Sequence, residues 1–248
     1  MSCAAILSGC PRVATLVLLG DIMLGRYVGW QLEVGGPLAH RQVWGDTLAL
    51  VRGLESAGDA SVAVAGNLET AITTHDVKWP NKTFNYKAPP GAVGALTAAG
   101  VEFVSLANNH SLDFMAEGLR ETIGVLDAAG VLHAGAGMDA ASASAPAAVD
   151  VGGCRVAFLS YADHYEASAG VDAVPASGCE WRCGFTSSRG SLSDSLPSDS
   201  LQEWAAGPAR PGIHFIDPTA FDRLKVEEEL RHARTACDAN AVVVFIHW

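Results

Sequence analysis

Five short apolar runs, nearly unbroken and separated by longer amphipathic stretches, constrain this chain more than any other feature. They are Ala14–Gly20 (ATLVLLG), Ser61–Gly66 (SVAVAG), Val101–Ala107 (VEFVSLA), Arg155–Tyr161 (RVAFLSY) and Ala241–Ile246 (AVVVFI). Continuous rather than alternating apolarity predicts strands covered on both faces, the habit of parallel sheets. Helices are predicted between them. One runs from Trp44 to Ala57 with Leu48, Val51 and Leu54, and a short one from Gly91 to Ala99 comes after Pro89-Pro90. A third, from Phe114 to Ala129, carries Met115, Leu119, Ile123 and Leu126 as one stripe. A fourth, from Thr219 to Ala236, turns Phe221, Leu224, Val226, Leu230 and Ala233 inward and pairs Glu227 with Arg231 on its outer face. Strands alternating with helices predict an α/β layered fold.

The 248 residues, 49% of them hydrophobic, suffice for one domain with a sizeable core, spanning 1–248. A serine-, glycine- and proline-bearing stretch at about 163–212 breaks the pattern and reads as a surface insertion. The net charge of −11 argues against a nucleic-acid partner, because phosphate affinity needs a basic face. No apolar run reaches the length of a membrane span. Leu7-Ser8-Gly9-Cys10 has the form of a lipidation box, yet no basic residue precedes it and its apolar stretch is short. The six scattered cysteines, among them the weak zinc pattern Cys179-Glu-Trp-Arg-Cys183, fit a reducing, cytoplasmic compartment slightly better than a secreted one.

Each strand gives way to polar residues at its carboxyl end: Asp21 after the first, Asn67-Leu68-Glu69 after the second, Asn108-Asn109-His110 after the third, Asp163-His164 after the fourth and His247 after the fifth. Ligand sites of α/β sheets gather outside the carboxyl ends of the strands. Carboxylates, an amide oxygen and imidazoles meeting there make a mixed O/N site, which suits zinc, manganese, iron or magnesium better than calcium. Each residue alone also fits a plainer role. Asp21 and Asn109 suit turns, Glu69 a solvated loop, Asp113 a helix N-cap before Phe114, and His110 an ordinary satisfied polar position. The pattern shared by five strand ends is stronger than its members. His40, His75, His133, His214 and His232 stand apart from it.

Gly20-Asp21-Ile22-Met23-Leu24-Gly25-Arg26, Gly66-Asn67-Leu68-Glu69-Thr70 and Ala107-Asn108-Asn109-His110-Ser111-Leu112-Asp113 resemble the CapA family of capsule synthesis, or poly-γ-glutamate biosynthesis. Leu126–Gly130, His133–Gly137 and Ile246-His247-Trp248 extend the likeness from about Leu16 to the last residue. That family is similar to the calcineurin-like metallophosphoesterases. The resemblance implies a four-layer α/β/β/α sandwich with one or two divalent metal ions (Mn, Zn, Fe or Mg) at the loop edge. It implies Asp21, Glu69, Asn109 and His247 as metal ligands, Glu69 standing where those enzymes use a bridging Asp. His110 becomes the catalytic imidazole and Asp113 its orienting partner.

Two departures shape the expectation. Met23 stands at the His of the Asp-x-His pattern with a soft thioether, which counts against a full two-metal set and leaves one metal alone as the alternative. No Gly-His-x-His segment comes after His247, so a chain truncated at the C-terminus is expected, with an incomplete sandwich and site edge. The function implied is metal-dependent hydrolysis of a phosphoester or a γ-glutamyl amide. The alternative is a non-catalytic or accessory component of capsule polymer synthesis. The expected partners are an anionic small molecule or polymer and a membrane-associated synthesis complex. Arg26, Lys82 and Lys87 are the basic residues near these motifs.

Overall fold

The computed structural model describes residues 14–56, 61–162, 204–216 and 223–247. The Asp163-His164 pair, most of the serine-rich stretch, Phe221, the lipidation-like box and Cys3, Cys10, Cys179 and Cys183 fall outside them. Of the remaining cysteines, Cys237 is a free, half-buried thiol, and Cys154 is disulfide-bonded.

In chain order the elements are β1 (Ala14–Ile22), α1 (Arg26–Gln42), α2 (Thr47–Ser56), β2 (Ser61–Leu68), β3 (Ala71–Ile72), β4 (Lys87–Ala88), α3 (Val93–Ala98), β5 (Val101–Ser105), α4 (Met115–Ala129), β6 (Leu132–Ala134), β7 (Ala136–Gly137), α5 (Ala140–Ser144), β8 (Ala147–Val151), β9 (Cys154–Ala162), β10 (Gly212–Ile213), α6 (Arg223–Ala236) and β11 (Ala241–His247). All five apolar runs form strands. One sheet has the order β1-β2-β5-β6 and is parallel throughout. A second has the order β11-β9-β8, with β11 parallel and β8 antiparallel to β9. Two-stranded ladders join β3 to β4 and β7 to β10.

The core shows how these layers stack. Ala63, Ala65 and Phe103 of the first sheet pack against Val149, Val156 and Phe158 of the second, with Phe103 and Phe158 stacked 4.3 Å apart. The other face of the first sheet buries Val64 and Val104 against Leu32 of α1, Val51 of α2, Leu96 of α3, and Leu119 and Leu126 of α4. The outer face of the second sheet holds Leu159 and Tyr161 against Ala233 of α6. Alternation of inward side chains along each strand makes this possible, because successive residues serve opposite layers.

The expectation of strands covered on both faces holds for β2, β5 and β9 but not for β1 and β11. Those two lie at sheet edges, where Leu18 and Ile246 are 46% and 52% exposed. Two details of α6 also differ. Leu224 is exposed rather than inward, and Glu227 pairs with Arg223 at 2.7 Å. Helix α1 is not among the helices expected from the sequence, because its Gly35-Gly36-Pro37 looks like a helix stop. The helix crosses it with a kink at Gly36, at φ 55° and ψ −147°.

Two glycines set up the site. The β1–β2 register shifts between Leu18 and Asp21, and Gly20 at that bulge has φ 71°. A residue with a Cβ resists this left-handed turn, which re-aims the strand just before Asp21. Gly135 has φ 95°, and a Cβ there would lie 2.6 Å from both Ala107 and Ser160. Its bareness lets the carboxyl ends of β5 and β9 approach.

Candidate functional site

The carboxyl ends of β1, β2, β5 and β11 converge on one edge. The backbone N–H of Glu69 donates to the carbonyl of Ile22 at 3.0 Å, tying the β2 end to the β1 end. Leu24 N–H donates to Thr70 Oγ1 at 2.9 Å. After β5, the Asn108 side chain turns the loop: its Oδ1 accepts from His110 N–H at 2.9 Å, and its Nδ2 donates to the Leu68 carbonyl at 2.9 Å. His247 ends β11, in register with Ala162.

Asp21, Glu69 and His247 each offer one ligand atom, and these atoms all lie within 4.8 Å of one another. His247 Nε2 is 3.2 Å from Glu69 Oε1 and 3.1 Å from Asn109 Oδ1. The four residues assigned as ligands by family resemblance therefore stand together. Asn67, a strand-end residue with no ligand role in that assignment, organises them. Its buried Nδ2 donates to Asp21 Oδ1 at 2.8 Å and faces His247 Nδ1 at 3.3 Å, while its Oδ1 accepts from Asn108 Nδ2 at 2.9 Å. Its position between Gly66 and Leu68 on a strand end is the only signal the sequence offers for this role.

Burial pushes the Glu69 carboxyl above its usual range, and the nearby Asp21 charge adds to this; His110 and Lys82 oppose it. Two crowded carboxylates with an imidazole and an amide oxygen fit a divalent cation, which would relieve their mutual repulsion and accept O and N donors alike. Met23 takes no place in this group. Its Sδ accepts from Gly25 N–H at 3.2 Å.

Beside the acidic group lies a second, buried set. His110 Nδ1 is 2.8 Å from Asp113 Oδ2, and the Tyr86 ring stacks on the imidazole at 4.1 Å. Asp113 does not cap α4: the N-cap is Phe114, without a side-chain cap, and Asp113 is fully buried. Its Oδ1 accepts from Lys82 Nζ at 2.5 Å and its Oδ2 from Tyr86 N–H at 2.5 Å. Lys82 is likewise no surface docking cation. Its side chain is 3% exposed, donates to the Asn109 carbonyl as well, and lies over the Trp204 ring at 4.2 Å. A buried carboxylate needs such compensation, whereas a helix cap does not. Because the Asp113 carboxylate only accepts, the hydrogen between the two sits on His110 Nδ1.

A third polar group lies on the side of β9 that faces α6. His214 Nδ1 donates to the Ser160 carbonyl at 3.1 Å, and its Nε2 is 3.4 Å from Glu229 Oε1. Tyr161 Oη donates to Glu229 Oε2 at 2.7 Å. Burial tends to raise Glu229, but bonds from His214 and Tyr161 override it and hold the carboxyl below its usual range. The Tyr161 phenol is pushed up, by burial first and by Glu229 second. His214 stands apart from the strand-end pattern of the sequence, and no local motif marks it.

Comparison with known proteins agrees with the motifs. The family described as "Bacterial capsule synthesis protein PGA_cap" matches residues 15–248. A Mycobacterium tuberculosis protein named "Probable polyglutamine synthesis accessory protein" is 30% identical, over 98% of this chain and 62% of its own length. "Capsule biosynthesis protein CapA" of Bacillus anthracis is 30% identical over 62% of this chain and 36% of its own length. "PGA biosynthesis protein CapA" of Bacillus subtilis is 27% identical over 61% and 38% respectively. The chain thus spans less than two thirds of the length of these relatives. With the motifs in order along nearly all of its length, the chain belongs to the PGA_cap family of bacterial capsule synthesis proteins.

Proposed function

We propose that this protein is a metal-dependent hydrolase acting on a γ-glutamyl amide or a phosphoester in capsule-polymer metabolism. The observation that carries the reading is the meeting of Asp21, Glu69 and His247 within 4.8 Å at one sheet edge. Asp21, Glu69, Asn109 and His247 would hold one divalent cation. When bound, such an ion lowers the pKa of a water towards about 7 and polarises a carbonyl or phosphoryl oxygen.

The chain's own residues supply the rest. Asn67 holds Asp21 and His247 in place through one amide. Asp113 fixes the tautomer of His110, and Lys82 balances the buried Asp113 charge. With the hydrogen held on Nδ1, His110 Nε2 then takes a proton from the attacking water and hands it on to the leaving nitrogen or oxygen. Helices outside two face-to-face sheets support the four-layer metallophosphoesterase-like reading of the fold.

The test is metal content and turnover of purified protein with Mn²⁺ or Zn²⁺, using p-nitrophenyl phosphate and a γ-linked glutamate oligomer. Asp21→Ala and Glu69→Ala are expected to lose both metal and turnover. Equal metal content in wild type and both variants removes the assignment. A second reading, an accessory role without turnover, draws on the name of the mycobacterial relative. It predicts metal binding with neither substrate consumed. Among the described residues, no helix is long and apolar enough to cross a membrane.

A further inference from the structure

Between the first turns of α1 and the segment 73–89 runs a groove of about 580 Å³, lined among others by Arg26, Trp30, Glu33, Lys78, Lys87 and Phe114. In a chain of net charge −11, three of its 16 basic residues gather here. Lys87 is committed to Asp76 and to the His75 carbonyl. Arg26 and Lys78 form no ion pair among the described residues. The Arg26 guanidinium lies 5.5 Å from the centre of Phe84 and 5.4 Å from that of Tyr86. Stacking of this kind leaves the N–H edge of the guanidinium for a carboxylate fork. Arg26 also has φ 55°, a left-handed backbone that is unfavourable for a non-glycine residue.

Position links the groove to the chemistry. Tyr86, under Arg26, stacks on His110, so one ring separates the groove from the imidazole. The walls are mixed. Trp30 is 53% exposed, and Phe114 lies beneath Lys87 at 5.1 Å. Glu33 and Asp76 also line the groove. Their charges disfavour a compact polyphosphate but leave room for single carboxylates separated by neutral spacers.

We propose that this groove is a binding subsite for a γ-linked glutamate chain. Arg26 and Lys78 pair with its carboxylates, and Trp30 covers its methylene stems. The proposal rests on the hydrolase reading for its substrate class, but binding here requires no metal. The test is therefore titration of chelator-treated full-length chain with a γ-linked glutamate decamer at low ionic strength, read by calorimetry. Arg26→Gln is expected to weaken binding about ten-fold, the loss of one charged fork, and Lys78→Gln several-fold. Arg26→Gly, which relieves the left-handed backbone, is expected to lose binding as much while its melting temperature holds or rises. The charge control Arg155→Gln, in β9, is expected to bind as wild type does. Wild-type binding by Arg26→Gln and Arg26→Gly overturns the proposal, as does pyrophosphate displacing the decamer at equal concentration. Failure of turnover alone leaves the subsite standing, and loss of the subsite alone leaves the metal assignment standing.

Discussion

At the shared sheet edge Glu69 stands with Asp21 and His247; against α6, Glu229 stands with His214 and Tyr161. Both carboxylates are partly buried beside an imidazole. Glu69 is shifted up because burial and a second carboxylate act together on it. Glu229 is shifted down because two donors outweigh its burial. The group against α6 is complete within the protein, so it behaves as a structural tie. The edge group has an excess of negative oxygen that only a proton or a cation relieves. Residue types that match almost one for one thus give a lock in one place and, on the reading proposed above, a ligand set in the other.

The largest expected effect separates the two imidazoles. His110→Ala should lower turnover by about 10²–10⁴-fold with metal content retained, the usual worth of a positioned proton donor. His214→Ala should leave the turnover of folded protein near wild type. Steady-state rates with metal analysis read both. If the two variants lose activity equally, the distinction fails.

Next come the two lysines. Lys82→Met strips a buried partner from Asp113, and breaking such a pair costs about 3–5 kcal/mol in denaturant melts. Lys225, exposed and 3.9 Å from Glu229, should cost about 1 kcal/mol or less when changed to Met. Asn67→Ala removes the amide that orients Asp21 and His247, and should weaken divalent metal binding about 10–100-fold.

The smallest effect sharpens the contrast most, because its sign reverses. The Glu229 contribution is present above the ordinary carboxylate pKa of about 4.3 and is lost as pH falls through its lower folded value. Glu229→Gln should therefore destabilise the protein at neutral pH and cease to matter in acid. The folded state with Glu69 binds a proton more readily than the unfolded chain does, so its contribution is unfavourable above its raised value and vanishes below about 4.3. Glu69→Gln should slightly stabilise metal-free protein at neutral pH. Both shifts should stay below about 1 kcal/mol after solvent screening, within reach of thermal melts across pH. Shifts of the same sign would end the comparison.

Much of this was readable one segment at a time. The apolar runs, the stripe of α4 and the polar residue after each strand come from periods of two and 3.6, which are local. The motifs carried the family and singled out Asp21, Glu69, Asn109 and His247. Other features depended on contacts across the chain. Asp113 has the sequence appearance of a helix cap, and Lys82 that of a surface cation. They became a buried pair because the 79–86 segment folds over the 110–114 turn, with Trp79 N–H donating to the Asp113 carbonyl at 2.8 Å.

The same limit explains β1 and β11. Apolarity marks both as strands, but whether a strand is central or at an edge depends on its neighbours. By itself the sequence determined the strands, most of the long helices and the polar character of their ends, because backbone geometry and side-chain period act over a few residues. The tertiary structure alone decided which ends meet. Bringing Asn67 to within 3.3 Å of His247, 180 residues away, depends on two sheets packing face to face, and no local preference encodes that closure.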